Sequence, residues 1–317
     1  MSEALENGKP LSRRQPAPRL PEMDWTLLIA AAALIGLGFV MVASASMPIA
    51  DRQFHDPFHF IWRHAAALAL ALAAALGVLA VPIRFWERHG TLLFFLGILL
   101  LVMVLIPGLG RNVNGATRWI PLGPFNLQSS EFMKFFAVIF IAGYLVRRRE
   151  EVETRFMGFV KPMVLIAIAA TLIMAEPDFG TTVVLMATVM AMLFLGGVNI
   201  AYFGALVGLV VLAGVALVIT SPYRMQRVIS YRDPWADPFD TGFQLSQALI
   251  AFGRGEWAGV GLGNGIQKQF YLPEAHTDFI IAVVGEELGL AGVLLFLVGF
   301  GVIVCRGFRF GMCFRGA

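Results

Sequence analysis

Eight apolar stretches, at 25–47, 63–81, 91–107, 132–146, 159–176, 179–197, 200–220 and 279–304, dominate this 317-residue chain. Most approach the roughly 20 residues that a helix needs to bridge a bilayer core of about 30 Å. Lipid offers backbone amides no hydrogen-bonding partner, so such stretches must satisfy their own backbone and do so as helices. Composition points the same way: 58% of residues are hydrophobic and 14% are charged, where a soluble domain carries about 25%. The mean hydropathy is +0.76. A soluble globular enzyme, a disordered chain and a disulfide scaffold are all excluded. The expected fold class is an all-α polytopic membrane protein with about eight transmembrane helices and a large extracytoplasmic loop before the last.

Orientation follows from Lys and Arg. With the N-terminus inside, the inner face holds 14 of them, among them Arg84, Arg88, Arg147, Arg148, Arg149 and Arg306, and the short outer loops hold 5. Such a bias marks the cytoplasmic side. It also accounts for the net charge of +3, so no nucleic-acid partner is expected. Residues 1–24 lack the short apolar core and small-residue cleavage site of a signal peptide. Cys305 and Cys313 fall on the reducing side, where no structural disulfide is expected. The expected organisation is a cytoplasmic tail over 1–24, a membrane bundle over 25–304, and a cytoplasmic tail over 305–317. Two outer segments, 108–131 and 221–278, are rich in Gly, Pro, aromatic residues and charge. Loops of that length are functional or contain short elements of their own. Apolar spacing predicts one such element, a short helix over 241–253 at the membrane surface.

Chemistry concentrates at the outer ends of the spans. Ser129 or Ser130 suits the cap of the fourth helix, and Glu131 and Lys134 stand three apart on one face. That fits a plain helix start with an ion pair, or a site, because ionisable groups at a span boundary are costly. Glu176-Pro177-Asp178 forms the tip of a helical hairpin, in which Asp178 or Thr181 suits a cap and Glu176 belongs to the apolar end of a span. The stretch Tyr271–Asp278 runs into the last helix, where Thr277 or Asp278 suits the cap. Glu286 and Glu287 follow inside that helix and suggest an outward-opening polar cavity. The glycine run 259–265 follows no strand and lacks the dinucleotide fingerprint; a nest of backbone amides for an anion is a further reading. His55, His59 and His64, with three and four residues between them, read as headgroup-level polar residues in the absence of a metal motif.

Several of these stretches resemble the SEDS family, which includes FtsW, RodA and SpoVE. Asn114–Phe125 with Gln128–Lys134 is similar to its first outer-loop signature, Glu176–Thr181 to its second, and Arg232–Phe239, Gly253–Asn264 and Tyr271–Phe279 to its third. The resemblance covers residues 20–304 and is closest to the division-associated branch, FtsW. It implies a peptidoglycan glycosyltransferase that polymerises lipid II at the outer face of the bacterial inner membrane during septal wall synthesis. The implied partners are a class B penicillin-binding protein and other division proteins. It also implies that Asp278 is the catalytic residue and that Glu131, Lys134, Arg118, Trp119, Glu176 and His276 contact substrate. A divalent cation, magnesium or manganese, is the implied cofactor, and no organic cofactor is expected. The family has about ten spans; with eight, and with an atypical stretch from Cys305 to Ala317, the chain is expected to be truncated or frame-shifted. Two other functions suit a charged cavity among helices: a flippase for the lipid-linked precursor, and a non-catalytic scaffold for division proteins.

Overall fold

The computed structural model describes residues 24–113, 116–123 and 125–314. The N-terminal tail expected over 1–24, apart from Asp24, lies outside the described residues, as do Asn114 and Gly115 of the first loop motif and Arg315–Ala317.

The helices are α1 (Trp25–Phe54), α2 (His59–Ala80), α3 (Ile83–Leu105), α4 (Ser129–Arg147), α5 (Arg149–Thr154), α6 (Phe156–Ala175), α7 (Phe179–Leu195), α8 (Ile200–Ile219), α9 (Pro222–Arg232), α10 (Phe243–Gly255) and α11 (Ile280–Phe314). Three short strands, β1 (Arg111–Val113), β2 (Ala116–Leu122) and β3 (Phe125–Gln128), precede α4, and one π turn covers Gln267–Tyr271. Among the described residues, seven helices are long and apolar enough to cross a membrane: α1, α2, α3, α4, α6, α8 and α11. The sixth expected span, α7, is apolar but has 17 residues, about 25 Å at 1.5 Å per residue. That is the short end of what a bilayer accepts. The chain is a multi-pass membrane protein.

Both outer segments contain structure. In the first, the strands form an antiparallel sheet of order β1-β2-β3, in which Trp119 pairs with both Arg111 and Gln128. This sheet is a small departure from an all-helical expectation. The predicted surface helix is α10, shifted by two residues. It packs on α11 through Ser246, Ala248, Ala251 and Gly255.

The chain divides into two compact units, residues Ala73–Arg224 and the remainder. Within Ala73–Arg224, the core gathers Phe94, Leu101, Met133, Phe140, Ile166 and Leu185 from α3, α4, α6 and α7. Small residues permit close approach there: a Cβ on Gly97 would lie 2.7 Å from the Met133 sulfur. By contrast α8 buries only Leu206, and its remaining apolar surface is available to lipid.

The other unit is built on α1, α10 and α11, with Met41, Ala45, Ala248, Ala251, Val283 and Phe296 in its core. Here α11 is broken at Gly289, whose φ of 67° and ψ of −165° are not helical. The break frees backbone groups that must be paired inside a membrane. The loop after α10 pairs them: Leu290 and Ala291 donate to the carbonyls of Glu256 and Trp257, and Val260 and Gly261 donate to those of Glu286 and Glu287. Four glycines make this possible. A Cβ on Gly255 would meet the Gly285 oxygen at 1.8 Å, and one on Gly259 the Glu287 oxygen at 2.1 Å. Gly285 and Gly289 face them, so two pairs spaced four apart bring the backbones together.

Candidate functional site

In the Ala73–Arg224 unit, the hairpin between α6 and α7 is the centre of a buried polar group. Glu176 is the residue after the last turn of α6 and is fully buried. Its Oε1 accepts from the Ser129 hydroxyl at 3.2 Å, and its Oε2 has no partner among the described residues. Burial pushes its carboxyl up to about 7; the Ser129 hydrogen bond opposes this, the Asp178 charge adds to it, and the Arg118 charge opposes it. Asp178 caps α7 as expected, accepting from the Thr181 amide at 3.1 Å and its hydroxyl at 2.8 Å. Arg118, on β2, spans the tip. Its Nε donates to the Glu176 carbonyl at 3.2 Å and its Nη2 to the Pro177 carbonyl, and Nε stands 3.9 Å from the Asp178 carboxylate. Neighbouring strand residues point to opposite faces, so Trp119 faces away from this clamp and is half-buried.

Neither serine caps α4. Gln128 holds the cap position without a side-chain bond, its amide donates to the Ser130 hydroxyl, and Ser129 is drawn to Glu176. Glu131 and Lys134 form the expected pair at 2.9 Å, with side chains 55% and 30% exposed. They line a cavity of about 300 Å³ with Phe135, Leu185 and Thr188. In water such an exposed pair contributes little to stability, which leaves its charges available to a ligand.

His276 and Asp278 belong to the other unit. His276 packs its ring 5.7 Å from that of Phe60. Asp278 is exposed, and its carboxylate takes no hydrogen bond or ion pair among the described residues. It does not cap α11, which opens at Ile280 with the amides of Ala282 and Val283 on the Phe279 carbonyl. Thr277 turns back to Glu274, donating to Oε2 at 2.7 Å.

Glu286 and Glu287 do not open into a free cavity. Both are fully buried, and Arg254, Lys268, Ser44 and backbone amides occupy their oxygens. The glycine run does cradle an anion with its amides, but the anion is the chain's own: Gly263 donates to Glu287 Oε2 at 3.0 Å. Sequence reasoning missed Ser44, whose only local signal is a polar residue in an apolar helix. Ser44 and Lys268 line a second cavity, of about 490 Å³, with Phe39, Met47 and Leu262.

Among the described residues, no three His, Cys, Asp or Glu side chains converge as a metal site. His55 closes α1 in a left-handed conformation, His59 stacks on Phe54 at 4.0 Å and His64 on Phe39 at 5.7 Å. Among the described residues, then, no cage made of protein donors alone is formed for a divalent cation.

Comparison with known proteins places the chain. It is 55% identical to the probable peptidoglycan glycosyltransferase FtsW of Allochromatium vinosum, over 98% of this chain and 77% of that protein. It is 54% identical to the Nitrosococcus halophilus protein of the same description, over 90% of this chain and 74% of that one. Among solved structures it resembles a chain from a peptidoglycan synthase complex that coordinates polymerization and crosslinking, with a TM-score of 0.69 at 28% identity, covering 89% of this chain and 76% of that chain. The rod shape determining protein RodA of Thermus thermophilus matches with a TM-score of 0.65 at 26% identity, over 93% of this chain and 77% of that one. The family model for FtsW, RodA and SpoVE, described as cell cycle proteins, matches residues 25–315. The chain belongs to the FtsW/RodA/SpoVE family of cell cycle proteins.

Proposed function

We propose that this protein is a peptidoglycan glycosyltransferase that polymerises lipid II into glycan strands for septal wall synthesis. The observation that carries this is the match to glycosyltransferase relatives along nearly the whole chain. The Lys and Arg balance supports a cytoplasmic N-terminus, and hence an outward-facing position for Asp278 at the bacterial inner membrane. The likeness to a synthase complex that couples polymerization with crosslinking supports a class B penicillin-binding protein as partner at the septum.

The donor sugar of lipid II already carries a pyrophosphate leaving group, so it needs less acid assistance than an ordinary glycoside. What remains is removal of a proton from the acceptor hydroxyl, for which one carboxylate suffices. Asp278 supplies it: its oxygens are exposed and carry no competing donor. In the Ala73–Arg224 unit, Lys134, held by Glu131 beside a cavity, is a cation of the kind that offsets pyrophosphate charge, and Glu176, fastened to Ser129, shapes the hairpin tip. Arg118 has its Nε and Nη2 committed to that tip, so its contribution to substrate runs through the tip. Direct attack by the acceptor inverts the anomeric centre. No step runs through a metal.

Asp278→Asn in proteoliposomes supplied with lipid II on the outer leaflet tests the reading. Wild type should make glycan polymer resolvable on a gel, and the variant none while inserting normally. Polymer from the variant would remove Asp278 from the role. Translocation of lipid II without polymer by the wild type would favour a flippase.

A further inference from the structure

Two adjacent glutamates inside an apolar helix have to be matched by donors, and the donors come from distant parts of the chain. Glu286 accepts from Arg254 Nη1 at 3.1 Å and from the amides of Ile266 at 2.9 Å and Gln267 at 3.1 Å. Glu287 accepts from Lys268 Nζ at 2.6 Å, from the Ser44 hydroxyl at 2.8 Å, and from the Gly263 amide at 3.0 Å. Lys268 also donates to Ser44 Oγ at 2.8 Å, which closes a triangle of α1, the π turn and α11. The side chains of Lys268 and Glu287 are 5% and 0% exposed. Glycine at 265 lets the turn approach, since a Cβ there would lie 2.9 Å from an oxygen of each carboxylate.

Asp278 sits in the middle of the segment that this triangle closes. Lys268 comes ten residues before it and Glu287 nine residues after it. Between the π turn and α11 the backbone bonds are few: Leu272 donates to the Gln267 carbonyl, and Thr277 and Phe279 donate to that of Glu274. This non-helical stretch, 272–279, takes its position from the core packing of Leu272 and Ala275 and from the two elements it joins, and those elements are fixed to each other by a dry ion pair and pinned to α1.

We propose that Lys268, Glu287 and Ser44 are positioning residues: their buried triangle fixes both ends of the 268–287 segment and so sets where the free carboxylate of Asp278 stands. This rests on the reading of Asp278 as the base. A base needs placement more closely than a fold does, and a displacement of about 1 Å costs on the order of a hundredfold in rate.

A buried ion pair replaced by apolar groups of similar volume often leaves stability unchanged or higher, which separates placement from folding. The test compares Lys268→Met/Glu287→Leu, Ser44→Ala and Ser44→Thr with wild type, using the full chain in lipid nanodiscs. The readouts are thermal midpoint, turnover and half-saturation with lipid II, and hydrogen exchange at the Leu272, Thr277 and Phe279 amides. The double variant should melt at or above wild type while turnover drops by roughly ten- to a hundredfold. Its half-saturation should stay near wild type and the three amides should exchange faster. Ser44→Ala should show a smaller loss of the same kind, and Ser44→Thr, which keeps the hydroxyl, should restore it. A double variant with wild-type turnover and protection overturns the proposal. If that variant does not fold, Ser44→Ala with unchanged exchange and turnover overturns it equally. If the wild type makes no polymer, the reading of Asp278 fails, and the exchange measurement still decides whether the triangle holds the segment.

Discussion

Replacing Gly255 with Ala isolates the device on which the outer half of α11 depends. Its Cβ would stand 1.8 Å from the Gly285 carbonyl oxygen and 2.8 Å from its carbon. Both are backbone atoms, so no rotamer change relieves the contact. Real Cβ contacts do not fall under 3.0 Å, so the backbones must separate by about 1.2 Å, the difference of the two distances, a shift of the size that costs about 1–3 kcal/mol in an overfilled core. The same movement stretches the bonds across the Gly289 break, where Val260 and Gly261 reach the Glu286 and Glu287 carbonyls at 3.0 Å. At about 4.2 Å they are no longer hydrogen bonds, and each buried group left open costs about 1–3 kcal/mol. Losing two of them together with the overpacking comes to about 6 kcal/mol. Thermal unfolding in detergent should then fall by roughly 12 °C, at about 2 °C per kcal/mol for a chain of this size. Gly253→Ala is the matched control, because it lies in the same helix with nothing within 4 Å of its Cβ; it should be stabilising by about 0.5–1 kcal/mol. Equal midpoints for the two variants, with the Val260 and Gly261 amides still protected, would refute the argument that backbone proximity holds α10 to α11.

Three further outcomes are expected. Glu176 has a folded-state pKa of about 7 against 4.5 for the free side chain, so its contribution to stability is complete below pH 4.5 and is lost as pH rises through 7. The wild-type melting temperature should fall between pH 5 and pH 8 by the equivalent of about 3 kcal/mol, and Glu176→Gln should flatten the curve; parallel slopes would contradict this origin. Arg118→Lys keeps the charge but cannot reach two carbonyls with a planar fork, so the hairpin tip should lose about 1–2 kcal/mol, visible as faster exchange at the Thr181 amide. Ile166→Ala, at a side chain with 0% exposure, should cost about 2–5 kcal/mol, whereas Leu76→Ala, at 68% exposure, should stay within about 0.5 kcal/mol; chemical unfolding in mixed micelles distinguishes the two.

The spans were legible because burial in lipid is imposed on every residue of a crossing helix and leaves a long uniform signal. Their ends were less so. The apolar run of α1 stops near 47, but its hydrogen-bond ladder continues through Asp51 and Arg52 to Phe54, since water-facing residues can extend a helix that lipid has already nucleated. Asp178 was legible as a cap because its partner is Thr181, three residues away. Ser129 was not, because its partner is Glu176, 47 residues away. The strand pairing of Arg118 and Trp119 was hidden for a related reason: β1 and β3 have three and four residues, too few for an alternating pattern to stand out. Glu286 and Glu287 were recognised as anomalous, but whether they lined a cavity or filled one depended on Ser44, 243 residues from Glu287. Contacts at that separation leave no periodic trace in one sequence.

The carboxylates themselves supply the strongest argument about chemistry. Lipid-level acids are costly, and this chain neutralises nearly all of those that matter with fixed partners. Glu286 and Glu287 are saturated by two cations, a hydroxyl and backbone amides. Asp178 is spent on a cap and Glu274 on Thr277, while Glu131 faces Lys134 in an exposed pair. Glu176 is buried, held by Ser129 and pushed towards its neutral form. A general base must be ionised, reachable by substrate and not already accepting from the protein. Asp278, exposed and without a donor among the described residues, meets the last two conditions. The commitment of these acids is therefore part of the mechanism: it keeps their charge from competing for the acceptor proton and leaves Asp278, between two anchored ends, to accept it.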